Sequence, residues 1–280
     1  MSAPACTAPD RLPLGLFQAT ADNKTGTLQL ATVCGGALKF SKASRALSNL
    51  TAAAWTSAGV IAVESSEGNR DRFVQLFADG TRKPYLTTLP GTLIGIGRDN
   101  IGRPVFSRYD PQTKLYFVQR IDADGRVHTV RSLSAFFVFG PAVSASGNYA
   151  IPETVQGKSG LEGRIQVMAE DGTHVRTFPV PGNPTDITWL DSSTLLVRAD
   201  TADNRAASDY VYSLTTHKIT PLSGGWLTLC AYGPSVVVAK VGGTIGVLPK
   251  AHPDAAAVQV VGTVHQLPLA CAPTEPEPSP

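Results

Sequence analysis

The sequence predicts an all-β fold: six four-stranded sheets set as the blades of a closed propeller. Three observations predict it. An Asp-Gly turn between two β-branched or aromatic strands recurs at nearly constant spacing. A second strand–turn–strand pattern precedes each copy. The two chain ends supply complementary parts of one further unit.

The turn copies read Phe73-Val-Gln-Leu-Phe-Ala-Asp-Gly80, Phe117-Val-Gln-Arg-Ile-Asp-Ala-Asp-Gly125 and Ile165-Gln-Val-Met-Ala-Glu-Asp-Gly172, with their glycines 45 and 47 residues apart. Asp-Gly between alternating strands signals a hairpin, because Gly accepts positive φ and Asp tolerates it. The preceding pattern is a short apolar strand, a small polar turn and a very apolar strand. It recurs over 52–63, 93–106, 140–151, 185–197 and 227–238. Together they define four short strands, A to D, with the period of a propeller blade.

Five units run over about 51–90, 91–137, 138–182, 183–224 and 225–265. Residues 12–47 supply strands B, C and D without an A, and 266–271 supply a lone strand. Joining them makes a sixth, composite blade, which would remove exposed sheet edges and tie the ends against fraying. The expected organisation is an N-terminal extension over 1–11, the six-bladed β-propeller over 12–271 and a disordered Pro-rich tail over 272–280. The only helical signal is Ser41-Lys-Ala-Ser-Arg-Ala-Leu-Ser48, read as one turn.

Composition narrows the function classes. The chain has 280 residues, 42% hydrophobic and 16% charged, so it can bury a sizeable core. Its net charge of +2 builds no concentrated basic surface, so nucleic acid is not an expected partner. No apolar run approaches the roughly 18 residues of a membrane-spanning helix. The start, Met1-Ser-Ala-Pro-Ala-Cys, has the small residues found around signal cleavage sites but no charged or apolar region before them. A signal or anchor segment is therefore expected to be missing from this chain. Four cysteines, Cys6, Cys34, Cys230 and Cys271, in a low-charge β chain suit an oxidising compartment. The expected location is extracytoplasmic: periplasmic, cell-wall or secreted. Four cysteines allow three pairings. The blade frame favours Cys6 with Cys271, a bridge that would lock the ring, and leaves Cys34 with Cys230.

No local catalytic signature is present. There is no Gly-x-Ser-x-Gly elbow. Gly157-Lys-Ser159 ends like a phosphate-binding loop, but Pro152 stands where its first Gly belongs. Of the five histidines, His128, His174 and His217 read as solvated turn residues, and Trp55, Trp189 and Trp226 read as packing between blades. Catalytic residues, metal ligands and cofactors are each expected to be none. The four carboxylates Asp99, Glu153, Asp186 and Asp200 could still converge near the axis, which keeps a hydrolase or lactonase with an axial-channel metal or carboxylate site as the alternative function.

In a propeller the A–B and C–D turns share one face, and the B–C loops and D–A connections share the other. The B–C loops, 65–72, 109–113, 153–164 and 200–209, are longer and polar, and loops on a rigid scaffold concentrate binding residues. Arg70, Arg72, Arg164 and Arg205 are the candidate contacts there. The primary expectation is a monomeric binding or scaffolding module for a protein or glycan of the cell envelope.

The offset pattern carries a family resemblance. Gly140-Pro-Ala-Val-Ser-Ala-Ser-Gly-Asn-Tyr-Ala-Ile151, Ile187-Thr-Trp-Leu-Asp-Ser-Ser193 and Ala54-Trp-Thr-Ser-Ala-Gly59 resemble the TolB-like, or WD40-like, β-propeller repeat, roughly Pro-x-Trp-Ser-Pro-Asp-Gly followed by a β-branched strand. No copy carries the full Ser-Pro-Asp-Gly. The resemblance implies the propeller fold and names no activity.

Overall fold

A computed structural model of the chain describes residues 11–20, 25–40, 46–48, 50–64, 71–77, 81–86, 89–201, 207–240, 242–254, 257–264 and 268–271. It is an all-β propeller. The chain opens with β1 (Arg11–Thr20), β2 (Thr25–Cys34), β3 (Ala37–Phe40) and β4 (Ala46–Ser48). Five blades, each cut from one continuous stretch, follow. The first is β5 (Leu50–Thr56), β6 (Gly59–Glu64), β7 (Arg72–Leu76) and β8 (Arg82–Pro84). The second is β9 (Thr92–Arg98), β10 (Pro104–Asp110), β11 (Leu115–Ile121) and β12 (Val127–Leu133). In the third, β13 (Phe137–Val138) and β14 (Ala142–Val143) together line β15 (Tyr149–Gln156), followed by β16 (Leu161–Met168) and β17 (Arg176–Val180). The fourth is β18 (Asn183–Trp189), β19 (Thr194–Asp200), β20 (Ala207–Ser213) and β21 (Ile219–Pro221). The fifth is β22 (Leu227–Tyr232), β23 (Ser235–Ala239), β24 (Thr244–Pro249) and β25 (Gln259–Thr263). The last strand, β26 (Pro268–Cys271), pairs antiparallel with β1, giving a sheet of order β26-β1-β2-β3 with β4 also on β2.

Burial explains why the second strand of each blade reads as an unbroken apolar run. Sheets stack face to face, so the inner strands are covered on both sides. In β15 the first six residues are buried, and in β10 the first five. The outermost strands, such as β8 and β21, are largely exposed. The core therefore lies between blades. Ile61, Val63 and Phe73 of the first blade meet Leu93, Phe106 and Ile121 of the second, with the Phe73 and Phe106 rings 4.9 Å apart and edge-on. Ile165 and Phe178 of the third meet Trp189, Leu195 and Tyr212 of the fourth. Each such fully buried side chain contributes about 1.5–3 kcal/mol.

The inner strand is irregular in a repeated way. Register shifts leave one extra residue at Thr51, Ile94, Thr185 and Leu229, and in the third blade the inner strand is split in two. A bulge frees backbone groups from the ladder, and buried backbone groups need partners. The preceding blade provides them. Asp71 Oδ2 accepts the Leu93 N–H at 2.9 Å, and Asp209 Oδ2 accepts the Thr228 N–H. Ser107 Oγ donates to Phe139 O at 2.7 Å.

Several expectations change. Ala46–Ser48 is a strand on β2 rather than a turn of helix, because its backbone groups pair with Thr25–Thr27. Phe137 begins the third blade rather than ending the second, because it pairs with Thr154. The stretch 153–164 is mostly hairpin, not loop: β15 runs to Gln156 and β16 starts at Leu161, placing Glu153 directly across from Arg164. Alternation hides this, since the polar residues there occupy strand positions between two blades.

Candidate functional site

At the end of the third blade where B–C turns and D–A connections meet, the surface opens into a cleft of about 380 Å³. Its walls are Leu161, Glu162 and Arg164 at the start of β16, Thr177, Pro179 and Val180 on β17, and Gly182 and Asn183 leading into β18. Glycine shapes the rear wall. A Cβ on Gly163 would sit 1.9 Å from the Gly182 carbonyl oxygen, so the D–A connection can lie against the strand only where Gly163 has no side chain. Gly182 itself takes φ 71, the left-handed region that glycine favours.

Arg164 is the cationic residue of this cleft. Its Nε donates to Glu153 Oε1 at 2.5 Å, and Gln166 Nε2 donates to the same oxygen at 2.7 Å. Glu153 is fully buried and Gln166 nearly so. Among the described residues, the Glu153 Oε2 and Gln166 Oε1 atoms have no hydrogen-bond partner. Among the described residues nothing accepts from the Nη atoms of Arg164, whose side chain is 35% exposed. An arginine fixed at Nε by a buried carboxylate, with its outer nitrogens free, is oriented for a ligand at little entropic cost.

The other predicted contacts fall differently. Arg72 begins β7 and pairs with Glu64, which also takes Arg82. Arg70 and Arg205 lie outside the described residues. Structure thus joins Arg164 to the cleft and does not bring Arg72 to it. The residues that sequence reasoning missed are Glu153 as the anchor of Arg164, and Gln166, Thr177 and Asn183. One signal could have found the anchor: counting outward from the 157–160 turn sets Glu153 opposite Arg164.

The four candidate carboxylates do not gather. Asp99 sits in the A–B turn of the second blade, held by Arg103 at 2.5 Å. Arg103 also reaches Asp122 and Glu170 at 3.4 and 2.6 Å. That ion-pair group ties the second and third blades on the opposite face. Glu153 lies at the cleft end of the third blade, and Asp200 ends β19. Asp186 on β18 is partly buried; burial pushes its carboxyl up to about 6, against the pull of Arg198 and the Ile187 N–H. Among the described residues, no three His, Cys, Asp or Glu side chains form a metal-ligating group. His217 is more than a solvated turn residue: it hydrogen-bonds Tyr212 at 3.1 Å and its ring lies 5.6 Å from that of Phe178. Trp189 and Trp226 pack between blades, and Trp189 Nε1 donates to Ala142 O at 3.3 Å. Cys34 and Cys230 are disulfide-bonded. Cys6 lies outside the described residues.

The fold is a β-propeller, and this cleft opens on the face built from B–C turns and D–A connections. No family model matches the chain, and no curated protein matches its sequence. Solved structures do match its fold. TolB from Acinetobacter baumannii aligns with TM-score 0.63 and 16% identity over 92% of this chain, which spans 65% of that protein's length. A gluconolactonase from Xanthomonas campestris aligns with TM-score 0.57 and 16% identity, covering 97% of this chain and 91% of that one. A TolB homologue described as putative, from Agrobacterium tumefaciens, aligns with TM-score 0.54 and 12% identity over 75% of this chain and 80% of that one. The fold is TolB-like, as the repeat resemblance implied. Among the described residues no helix is long and apolar enough to cross a membrane.

Proposed function

We propose that this chain is an extracytoplasmic binding propeller that engages a protein or glycan of the cell envelope through its B–C/D–A face. The observation that carries the reading is the Arg164 cleft on that face. Support comes from exposed apolar residues at the same end of the blades: Phe136, Phe137 and Leu161 are 50%, 49% and 42% exposed. Cys34 and Cys230, both bridged, fit an oxidising compartment. The likeness to TolB adds a fold used by a protein of that name, and no more.

The reading includes a monomeric, six-bladed ring in which the β26-β1-β2-β3 sheet acts as the sixth blade and closes the circle. Support for closure is the pairing of Gly15 with Cys271 and of Leu16 with Ala270. The bridge expected to lock the ring is Cys6 with Cys271, leaving Cys34 with Cys230. Closing a loop of that length is worth about 4 kcal/mol or more by chain-entropy estimates. Non-reducing peptide mapping tests it, and recovery of any other pairing replaces it.

Site-specific photo-crosslinking in intact envelopes tests the binding face. A photoreactive residue at Phe136 or Lys158 should give a discrete product, and one at Asp124 or His174, on the opposite face, should not. Products from the opposite face alone would overturn the reading.

A further inference from the structure

The cleft sets a cationic fork beside an apolar wall, and that pairing selects a ligand. The fork is the Nη pair of Arg164, held in place through Nε and without an acceptor among the described residues. The wall is Leu161, Pro179 and Val180, with Leu161 and Pro179 exposed. The exposed Thr177 hydroxyl lies between them in the same lining and serves as donor or acceptor. The charged acceptors nearby are turned elsewhere. Glu153 and Gln166 are not among the walls, and their unpaired oxygens are buried. The Glu162 carboxylate lies against the hairpin turn, where a Cβ on Gly157 would meet its Oε1 at 2.0 Å.

Four ligand chemistries compete for such a site. An ammonium group accepts nothing from the guanidinium and is repelled by it. A sugar presents hydroxyls that donate as well as accept, and neither glutamate is placed to receive them. A phosphate carries up to two charges, whereas Glu153 already balances the charge of Arg164 and no second lysine or arginine lines the cleft among the described residues. A carboxylate carries one charge, only accepts, and is planar, so its two oxygens match two parallel N–H bonds from the fork. We propose that the Arg164 cleft captures a carboxylate set beside an apolar side chain, as at the C-terminal end of a peptide. The carboxylate accepts from the Nη atoms, the last side chain packs on Leu161 and Pro179, and Thr177 meets the preceding peptide group. A chain end suits the wall better than an Asp or Glu side chain does, because an α-carboxylate stands one carbon away from its own apolar side chain. A volume of about 380 Å³ lies within the range of small-ligand pockets and limits the subsite to the last residue or two. Glu153 is then a positioning residue, setting the guanidinium plane through Nε. The inference rests on the B–C/D–A face being the binding face, and it narrows the partner on that face to a protein that presents a chain end.

The test varies the chain end alone. Acetyl-Ala-Leu as the free acid and as its amide are titrated into the full chain and followed by saturation-transfer NMR and calorimetry. Acetyl-Ala-Glu amide, glucuronate and inorganic phosphate are the comparison anions. The free acid should bind saturably, at least about tenfold more tightly than the amide and about fivefold more tightly than each comparison anion. Raising the salt concentration should weaken the acid and not the amide. Arg164→Lys keeps a cation for Glu153 but loses the planar fork, and should weaken the acid by about tenfold while leaving the amide unchanged. Leu161→Ser reads the apolar wall without touching the buried pair, and should weaken acid and amide alike by about fivefold. Retained near-ultraviolet dichroism shows that each variant is folded. No saturable binding of the acid, equal affinity for acid and amide, or indifference to both Arg164→Lys and Leu161→Ser overturns the inference. So does glucuronate or phosphate binding as tightly as the acid. The face-specific crosslinks are an independent readout: a protein crosslinked at Phe136 while the acid fails would leave the binding face standing and remove the chain-end subsite.

Discussion

Two buried acid–arginine pairs occupy neighbouring blades and end up with different work. In the fourth blade, Arg198 reaches Asp209 at 3.3 Å, and both partners also grip the next blade: Asp209 Oδ2 takes the Thr228 N–H and Arg198 Nη2 donates to the Thr228 carbonyl. Both carboxylate oxygens are used, and the arginine side chain is 18% exposed. In the third blade, Arg164 and Glu153 make an equally direct contact, yet among the described residues one carboxylate oxygen and the outer guanidinium nitrogens stay unused, and the arginine borders a cleft. The same residue chemistry is a clasp between blades in one place and an open valence in the other. What separates them is which neighbouring blade each pair faces. The bulge at Leu229 in the following blade offers the Asp209–Arg198 pair a free peptide group to hold, whereas Glu153 and Arg164 share the sheet face of Tyr149, Ile151 and Met168, which packs on the preceding blade, and meet no such group among the described residues.

The largest expected effect breaks the clasp. Arg198→Ala strands Asp209, whose side chain is fully buried, and should cost about 3–5 kcal/mol in chemical denaturation. Arg164→Ala should cost about 1–2 kcal/mol, because the widened cleft lets water reach Glu153. Equal losses would erase the distinction between the two pairs.

Next in size is a pH effect beside the clasp. The Asp186 carboxyl is raised to about 6 in the folded chain, against about 3.9 unfolded. The folded state therefore holds this proton more tightly, so this group's contribution to stability declines as pH rises from about 4 to about 6 and is flat above. Asp186→Asn should stabilise the fold at pH 7.5 by at most about 3 kcal/mol and change nothing below pH 4. A pH-independent gain would point to a packing effect and detach Asp186 from its charged neighbours.

Smaller still is the isosteric contrast. Asp209→Asn replaces an oxygen that receives a buried N–H or faces Arg198, and should cost about 2 kcal/mol; Glu153→Gln leaves an oxygen for Arg164 and should cost under about 1 kcal/mol. Trp189→Phe, which removes one inter-blade hydrogen bond to Ala142 and some ring area, should cost about 1 kcal/mol in the same assay.

Much of the architecture was legible in the residues. The turn glycines Gly125 and Gly172 take φ 80 and 79, as Asp-Gly chemistry demands. The runs at 104–110, 149–156 and 194–200 are the well-buried second strands that their apolar content announced. The candidate site was legible only in part. Arg164 was singled out for lying in a polar stretch, but the stretch is hairpin and its polarity faces a neighbouring blade as well as solvent. Asp71 and Asp209 gave no sequence cue at all, because their partners are backbone N–H groups 22 and 19 residues further on.

The sequence by itself determined the local features: where the strands lie, where the chain turns, and that the unit repeats. Those rest on alternation and on the φ preferences of Asp-Gly, which act within a few residues. Only the tertiary structure decided which polar side chains are clasps and which stay open. That depends on which neighbouring blade a side chain faces and on where that blade's inner strand bulges, and both are set by the stacking of whole sheets.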